Sequence, residues 1–324
     1  MLAVEISAEK LVIADRPRPD PASGELLVKV HAAGVNRADV LQRQGLYPPP
    51  PGASDIPGLE IAGQVYRCGR EVNGWEKGQR VMALLPGGGY AGFAVVDARL
   101  AMPVPQNLSF EDAAGIPEVF LTAYQAIRRL GDLQPGEQVL IHAGGSGVGT
   151  AAIQLCRAIG ATPIITAGSA EKISACKKLG AMQGINYHDG PFLPKIMEFT
   201  GGAGVDMIID FIGEPYWEQN LQALKTDGRL IFLAMMGGSR VDKLDLKIFM
   251  KKRLRIMGST LRNRSLQYKI NLTADFAAFA LPLFEKEILR PVIDRVFPVE
   301  KAADAHRYME ENRNTGKIIL QFPD

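Results

Sequence analysis

The sequence is poor in the residues that build metal sites and disulfide frameworks. Among its 324 residues there are only 3 cysteines and 4 histidines. Cys68, Cys156 and Cys176 lie far apart and form no CxxC pair, which argues against a disulfide scaffold and favours reduced thiols in a cytoplasmic protein. The histidines are equally scattered, so local spacing offers no tetrahedral zinc site.

Long apolar runs and an excess of charge of one sign are also missing. No stretch of about 18 uncharged apolar residues occurs, and residues 1–6 lack the basic segment and apolar core of a signal peptide. Lys and Arg number 37 against 35 Asp and Glu, which leaves a net charge of +2. This balance argues against a nucleic-acid or anionic-membrane partner. We therefore expect a soluble cytoplasmic protein with neither partner.

The most informative segment is a glycine-rich turn between an apolar strand and a helix. Residues 139–142 are strand-like, and a helical pattern begins near Gly147. Glycines let the backbone approach a pyrophosphate, and a helix start directs free N–H groups at it. The spacing departs from GxGxxG, but the flanking elements favour a dinucleotide site over a merely tight turn. The predicted contacts are Gly144, Gly145, Ser146, Gly147 and Val148.

The pattern of elements changes near residue 115. Before it, short strand-like runs punctuated by proline and glycine predict a β-rich module. After it, strands alternate with helices and predict a doubly wound parallel sheet that binds its ligand at the carboxyl ends of the strands. The predicted strands are 139–142, 163–167, 184–187, 206–211, 229–234 and 254–258.

The C-terminal part is expected to rejoin the first module. A long helix over 266–287 precedes a strand at 291–297, a helix at 300–312 and a strand at 316–322. A chain of this length is expected to form two domains. We assign 1–116 and 265–324 to the β-rich domain, and 117–264 to the dinucleotide-binding domain.

The end of the second predicted strand indicates which dinucleotide is bound. An NAD site normally carries an acid there, whereas this chain has Gly168 and Ser169, with Lys172 shortly after. A hydroxyl and an ammonium suit a 2′-phosphate, and Tyr187 could stack on adenine or donate to that phosphate. This predicts NADP(H), provided that Glu171 points away. The alternative is that Ser169 only caps a helix and Lys172 is a solvated charge.

Several motifs resemble the zinc-free quinone oxidoreductase branch of the medium-chain dehydrogenase/reductase superfamily, over essentially the whole chain. They are GVNRAD at 34–39, PGLEIAG at 57–63, LLPGGG at 84–89, the glycine-rich turn, TAGS at 166–169 and TGKIIL at 315–320. Within that branch, residues 37–39, 42–45, 47–54 and 83–89 are most similar to the tumour-suppressor-inducible quinone oxidoreductases. The resemblance implies a GroES-like catalytic domain, an NADPH-binding Rossmann domain, and homodimers whose sheets join edge to edge.

Two positions at which zinc alcohol dehydrogenases carry ligands differ in this chain. Asn36 stands in place of a cysteine, and Leu59 stands in place of the histidine of a Gly-His-Glu motif. We therefore predict that no metal is bound. Without a Lewis acid the acceptor must be intrinsically electrophilic, as quinones are. Asn36 and Tyr47 are predicted to donate hydrogen bonds to the acceptor or cofactor. The alternatives are a turn residue and an aromatic residue ahead of a polyproline stretch.

The resemblance implies further cofactor contacts after the strands of the dinucleotide-binding domain and in the loop near Glu118. They are Tyr47, Thr122, Ile212, Met235, Met236, Gly237, Ser259, Thr260 and Leu261. For Gly237 an ordinary turn stays open. His142, at the end of the first strand of this domain, is predicted to be packed and hydrogen-bonded rather than a catalytic base.

The predicted function is NADPH-dependent, metal-free reduction of quinones, and the resemblance suggests one-electron transfer to semiquinones. Two alternatives stay open. One is a zinc-free NADPH-dependent enoyl or alkenal reductase. The other is a crystallin-like nucleotide-binding protein with vestigial activity that attaches to RNA, against which the near-neutral charge argues.

Overall fold

A computed structural model describes residues 1–242 and 244–323. The chain forms two compact units: the first comprises Met1–Leu121 and the residues from Leu261 onward, and the second is Thr122–Thr260. The second unit is therefore shorter at both ends than the predicted dinucleotide-binding domain of 117–264. Residues 117–121 belong to the first unit because the Glu118 N–H bonds to Glu60, and 261–264 because the Arg262 guanidinium bonds to Gln42.

Strands and α-helices follow one another along the described residues. The strands are β1 (Leu2–Ser7), β2 (Lys10–Asp15), β3 (Glu25–Val35), β4 (Glu60–Cys68), β5 (Arg80–Leu84), β6 (Phe93–Asp97), β7 (Ala101–Pro103), β8 (Gln138–Ile141), β9 (Thr162–Ala167), β10 (Gln183–Asn186), β11 (Val205–Asp210), β12 (Leu224–Phe232), β13 (Arg255–Gly258), β14 (Ile293–Pro298) and β15 (Lys317–Gln321). The α-helices are α1 (Arg37–Arg43), α2 (Phe110–Ala113), α3 (Pro117–Tyr124), α4 (Gly147–Ile159), α5 (Ala170–Lys178), α6 (Leu193–Phe199), α7 (Trp217–Ala223), α8 (Lys247–Lys252), α9 (Leu266–Glu285) and α10 (Ala302–Glu310).

The first unit is built on a mixed sheet with the order β14-β15-β3-β4-β5-β7, to which β6 adds by pairing with β3. The C-terminal strand β15 runs antiparallel to β3, and β14 runs parallel to β15. The prediction that the C-terminal elements rejoin the first module is therefore confirmed. The core of this sheet includes Val28, Ile61, Val81 and the ring of Tyr90, all fully buried.

The hairpin of β1 and β2 was not predicted from the sequence. The two strands pair antiparallel from Leu2 with Asp15 to Ser7 with Lys10. Val12 and Ile13 on β2 are exposed, so the segment lacks the alternation of apolar and polar residues that marks a half-buried strand.

The second unit contains a six-stranded sheet in the order β10-β9-β8-β11-β12-β13, with every neighbouring pair parallel. This order is typical of dinucleotide-binding folds, in which ligands lie at the carboxyl ends of the strands. The six predicted strands are confirmed. The largest difference is that β12 begins at Leu224 rather than 229, because Leu224 pairs with Val205 across an irregularity in the ladder. Among the described residues, no helix has both the length and the hydropathy that a membrane span requires.

Candidate functional site

The glycine-rich turn joins β8 to α4 as the sequence predicted. Ser146 caps the helix, and its Oγ accepts a hydrogen bond from the Gly149 N–H at 3.0 Å. Close packing fixes two of the glycines. A Cβ on Gly144 would lie 2.6 Å from Cβ of Ile165, and one on Gly149 would lie 2.5 Å from the carbonyl oxygen of Ala143. The contact with Ile165 places the glycine-rich turn directly against β9, and α4 begins within that turn at Gly147.

Parallel strands bring the other predicted cofactor residues of the second unit to the same edge of the sheet. Because all six strands run in one direction, the residues just after each strand gather at their carboxyl ends. They are Gly144 to Val148 after β8, Gly168, Ser169 and Lys172 after β9, Tyr187 after β10, Ile212 after β11, Met235, Met236 and Gly237 after β12, and Ser259 and Thr260 after β13.

A buried polar network supports two of these loops. His142 bonds through Nδ1 to Thr166 Oγ1 at 3.0 Å and through Nε2 to Asn220 Oδ1 at 2.8 Å. The Asn220 amide donates to Asp210, whose carboxylate also accepts from the Ile212 N–H at 2.6 Å. Burial lowers the pKa of His142. The prediction that this histidine is packed and hydrogen-bonded is confirmed, and its network steadies the loops after β8 and β11.

The loop after β9 and the first turn of α5 contain groups that would favour NADPH and one group that would favour NADH. A Cβ on Gly145 would lie 3.2 Å from Cδ of Lys172, so the lysine stem passes over the glycine-rich turn. Tyr187 carries its hydroxyl next to Gly168. Ser169 caps α5, as the simpler interpretation of this residue expects. The exposed carboxylate of Glu171 accepts hydrogen bonds from its own backbone N–H and from the Ser169 hydroxyl, and these two contacts lower the pKa of Glu171. The NADP(H) prediction required Glu171 to point away from the phosphate, and its contact with Ser169 therefore weakens that prediction.

The remaining predicted cofactor residues differ in their surroundings. The Thr122 hydroxyl oxygen is buried and has no hydrogen-bond partner in the described part of the chain. Ser259 donates to Gln125 at 3.1 Å. Met235 and Met236 are about half exposed on the loop after β12. Leu261 belongs to the first unit and is buried there.

In the first unit, Asn36 belongs to a buried ionic network. Its side-chain amide donates to Glu60 Oε1 at 2.8 Å, and its oxygen accepts from the Lys317 ammonium at 2.7 Å. Lys317 also pairs with Glu60 at 2.6 Å and donates to the Val35 carbonyl at 2.8 Å. The side chains of Lys317 and Glu60 are 4% and 0% exposed. Gly34 is required at this point because a Cβ would clash with the Glu60 carboxylate.

Asp39 holds two backbone segments next to this network, one at Asn36 and one at Gly58. Its carboxylate accepts from the Asn36 N–H at 2.8 Å and from the Gly58 N–H at 3.0 Å. Tyr90 donates to the same carboxylate at 3.2 Å and contacts His306 Nε2 at 3.1 Å. Burial raises the pKa of Asp39 to about 6 despite these donors. The aspartate of the GVNRAD motif therefore has a positioning role that the sequence did not reveal.

Tyr47 lies against Arg262. The guanidinium carbon is 5.1 Å from the ring centroid, and Nη1 donates to the Tyr47 carbonyl at 3.2 Å. Arg262 is itself held by Gln42 Oε1 at 2.7 Å and by the Pro86 carbonyl at 2.8 Å. Burial, followed by the nearby carboxylate of Glu118, raises the pKa of Tyr47. The hydroxyl of Tyr47 is thus kept as a neutral donor.

These residues do not fit a zinc site. The amide and carboxylate at positions 36 and 60 are occupied by the fixed cation of Lys317, and Leu59 offers no donor atom. Within residues 1–242 and 244–323, no three His, Cys, Asp or Glu side chains converge as metal ligands would. The second unit, in contrast, fits a dinucleotide. It has a closely packed glycine turn, a helix that begins directly after that turn, and a buried Thr122 hydroxyl with no hydrogen-bond partner in the described part of the chain.

Fold and site together define a two-unit α/β protein with a nucleotide-binding parallel sheet and a β-rich partner unit. Residues 22–106 match the alcohol dehydrogenase GroES-like domain family, and residues 147–281 match the zinc-binding dehydrogenase family. The chain belongs to the medium-chain dehydrogenase/reductase superfamily and is an oxidoreductase with a GroES-like and a Rossmann domain.

Among curated proteins, the chain is 34% identical to the quinone oxidoreductase of Sus scrofa, over 93% of this chain and 90% of that protein. It is 32% identical to the synaptic vesicle membrane protein VAT-1 homolog of Homo sapiens, over 96% and 83%.

Three solved structures cover at least 99% of both chains. They are an NAD-dependent alcohol dehydrogenase (33% identity, TM-score 0.87), the CurK enoyl reductase (27%, 0.88) and a mycobacterial protein complexed with NADPH (28%, 0.89).

Proposed function

We propose that this protein is an NADPH-dependent quinone reductase that works without a metal ion. The observation that carries the proposal is the position of Lys317, whose ammonium occupies both side chains that would otherwise be available to a cation. With no Lewis acid to stabilise an alkoxide, the acceptor must be electrophilic by itself. The similarity to the quinone oxidoreductase of Sus scrofa supports quinones as that acceptor.

The cofactor is proposed to bind at the carboxyl edge of the parallel sheet in the second unit. When bound, reduced nicotinamide supplies the reducing equivalents. Lys172 would contact the 2′-phosphate from above the glycine turn, and Tyr187 would donate its hydroxyl to the same group. The unpartnered Thr122 hydroxyl is assigned a hydrogen bond to the cofactor.

The carboxylate of Glu171 is the one group at this corner that favours NADH. It bonds to Ser169, where a phosphate oxygen would have to compete for the hydroxyl. NADPH binding therefore requires the Glu171 side chain, which is exposed, to turn outward. The ratio of the dissociation constants for NADPH and NADH measures the balance between Lys172 and Glu171.

The role proposed for Asn36 is narrower than the sequence suggested. Both polar atoms of its amide are engaged with Glu60 and Lys317, so donation to an acceptor would need an existing bond to break. Tyr47 has its hydroxyl outside such a network, and we assign it the direct hydrogen bond to the acceptor.

Steady-state kinetics test the proposal. Oxidation of NADPH should require a quinone, persist after dialysis against a strong chelator, and be slower with NADH at equal concentration. Radical signals and oxygen consumption during turnover would indicate one-electron transfer, whereas a stable hydroquinone would indicate two-electron transfer. Stoichiometric zinc in the active protein, or loss of activity on chelation, would refute metal independence.

A second candidate is an enoyl or alkenal reductase, because the CurK enoyl reductase shares this fold over nearly its whole length. The same panel separates the two functions. Turnover of conjugated enones or enoyl thioesters with no turnover of quinones would favour the second.

We also propose that two copies associate through the edge strand β13. It pairs with β12 on one side, and no strand of the described residues pairs with its other side. The neighbouring segment exposes Leu246 and Met250, at 65% and 84%. An unpaired edge beside exposed apolar side chains suits pairing with a second copy. Sedimentation should give a dimer, and Met250→Glu should weaken it. The free thiols fit the proposed cytoplasmic location.

A further inference from the structure

An open groove runs beside β10, at one edge of the parallel sheet in the second unit. Its volume of about 640 Å³ lies within the range of ligand-binding sites. The polar part of its lining includes Ser174, Lys177 and Lys178 of α5, Asn186 of β10 and Lys195 of α6. The three α5 residues are spaced by three and four positions and therefore share one face of that helix. None of the residues that line the groove is among the predicted cofactor contacts.

β10 is an edge strand of the six-stranded sheet. It pairs in parallel with β9 along Gln183–Asn186, and no other strand in the described part of the chain pairs with its outer side. The N–H and C=O groups of alternate strand residues point to opposite edges, so part of β10 presents main-chain donors and acceptors outward. The strand is short, yet its four residues include neither lysine nor proline, with which proteins commonly protect such an edge. This edge can therefore pair with an added strand.

The groove carries an excess of positive charge. The ammonium groups of Lys177 and Lys178 are exposed and have no hydrogen bond or ion pair within residues 1–242 and 244–323. Lys195 makes a long contact of 3.9 Å with Asp189, the only acid among the described residues that line the groove. The two lysines of α5 suit the end of that helix, whereas Lys195 stands in the first turn of α6, where the helix dipole disfavours a cation. Helix stability therefore does not explain why three lysines meet here.

This charge indicates the kind of partner. Two copies of the chain that paired β10 with β10 across a twofold axis would bring two sets of lysines together, and their repulsion disfavours that arrangement. Carboxylates, in contrast, would meet three lysines and only one competing acid, Asp189. The four residues of β10 span about 13 Å at 3.3 Å per residue, which matches an extended peptide segment of similar length.

We propose that this groove binds an extended acidic segment of another protein, which adds as a strand to β10 and places its carboxylates against Lys177, Lys178 and Lys195. Main-chain hydrogen bonds to β10 hold the segment, and its carboxylates provide selection by charge. The inference goes beyond the proposed function and does not depend on the reaction that the protein catalyses.

Fluorescence anisotropy with a labelled octapeptide that alternates Glu and Val tests the proposal. The peptide should bind the parent protein saturably, and an analogue with Gln in place of every Glu should bind much more weakly. The double variant Lys177→Gln with Lys178→Gln should lose about fivefold in affinity, because exposed ion pairs contribute about two- to threefold each. The matched control, Lys286→Gln with Lys301→Gln, removes two exposed lysines of the first unit and should bind the peptide as the parent does.

Two further readouts report the added strand itself. N-methylation of alternate peptide residues removes the N–H groups along one side of the strand. Methylation in one register should therefore abolish binding, and methylation in the other register should leave most of it. In the parent protein, amide hydrogens within Gln183–Asn186 should exchange more slowly when the peptide is bound.

The outcomes separate this inference from its alternatives. Absence of peptide binding, equal affinity for the parent and the Lys177 and Lys178 double variant, or equal effects of methylation in both registers would each overturn it. Binding of pyrophosphate or of phosphatidylserine vesicles without binding of the peptide would also overturn it, because the lysines would then serve another anion. The affinity for NADPH should be the same in the double variant and the parent, and a loss would place these lysines at the nucleotide site instead.

Discussion

Replacing Lys317 with methionine should cost more stability than removing a cation from a part-exposed ion pair. Methionine keeps most of the volume but removes the ammonium that bonds to Glu60, Asn36 and the Val35 carbonyl. Glu60 would remain fully buried and close to Glu118 with no cation beside it. Breaking a buried ion pair by removing one partner typically costs about 3–5 kcal/mol, because the remaining charge stays desolvated.

Equilibrium urea denaturation of the single and double variants measures this cost. We expect Lys317→Met to lose about 3–5 kcal/mol at neutral pH, and the double variant Lys317→Met with Glu60→Gln to recover a large part of it. The matched control is Lys225→Met, which removes a cation from the part-exposed pair with Asp206. That pair should contribute about 1 kcal/mol or less.

The control and the double variant test separate parts of this expectation. If Lys317→Met costs no more than Lys225→Met, the buried ion pair between Lys317 and Glu60 is not an important source of stability. If the Glu60→Gln change worsens rather than relieves the loss, the orphaned carboxylate is not its cause.

Three other predictions concern the cofactor site and the response to pH. Lys172→Ala should weaken NADPH binding about tenfold or more in fluorescence titration and leave NADH binding nearly unchanged, with Lys177→Ala on the same helix as the control; equal losses would remove Lys172 from the phosphate site. Gly149→Ala places a Cβ 2.5 Å from a backbone oxygen, so it should lower the melting temperature and abolish nucleotide binding, whereas Gly92→Ala, whose Cβ meets nothing closer than 3.8 Å, should do neither. Burial lowers the pKa of His306 from 6.5 to about 3, so the stability that its neutral form contributes is present above about pH 6.5 and is lost progressively as the pH falls toward 3. In His306→Gln the stability should fall less steeply over that interval, and an unchanged slope would contradict this assignment.

Local patterns predicted the second unit well because its determinants are close in sequence. The turn at 144–149 lies between a strand and a helix that both carry clear apolar periodicity, and each strand of the sheet is a short buried run. Once the strands are known to be parallel, the contacts at their carboxyl ends follow from chain order alone. The sequence could not determine the rotamers of side chains in this unit. Glu171 contacts Ser169, although the NADP(H) prediction required it to point away from the phosphate.

The first unit was predicted less well because its site is assembled from distant segments. Glu60, Glu118 and Lys317 come from β4, α3 and β15, and β15 reaches this position only by pairing with β3. No spacing rule connects these residues. A glutamate just after a proline at a helix start is an ordinary first-turn acid, so no local pattern predicts the surroundings of Glu118. Its apolar neighbours are Leu59, Leu84, Leu85 and Leu100, which come from three other segments of the chain.

The arrangement around Lys317 also limits the chemistry that this protein can perform. A catalytic metal ion leaves a coordination position open to the substrate, and it is this open position that polarises a carbonyl. The ammonium of Lys317 has three donors, and all three are directed at Glu60, Asn36 and Val35. A cation with no free donor cannot bind the acceptor, although it sets the charge of the surroundings in which Glu118 titrates. This is the reason for which we propose that the acceptor is itself electrophilic, as quinones and conjugated enones are and simple ketones are not, with neutral donors such as Tyr47 hydrogen-bonded to it.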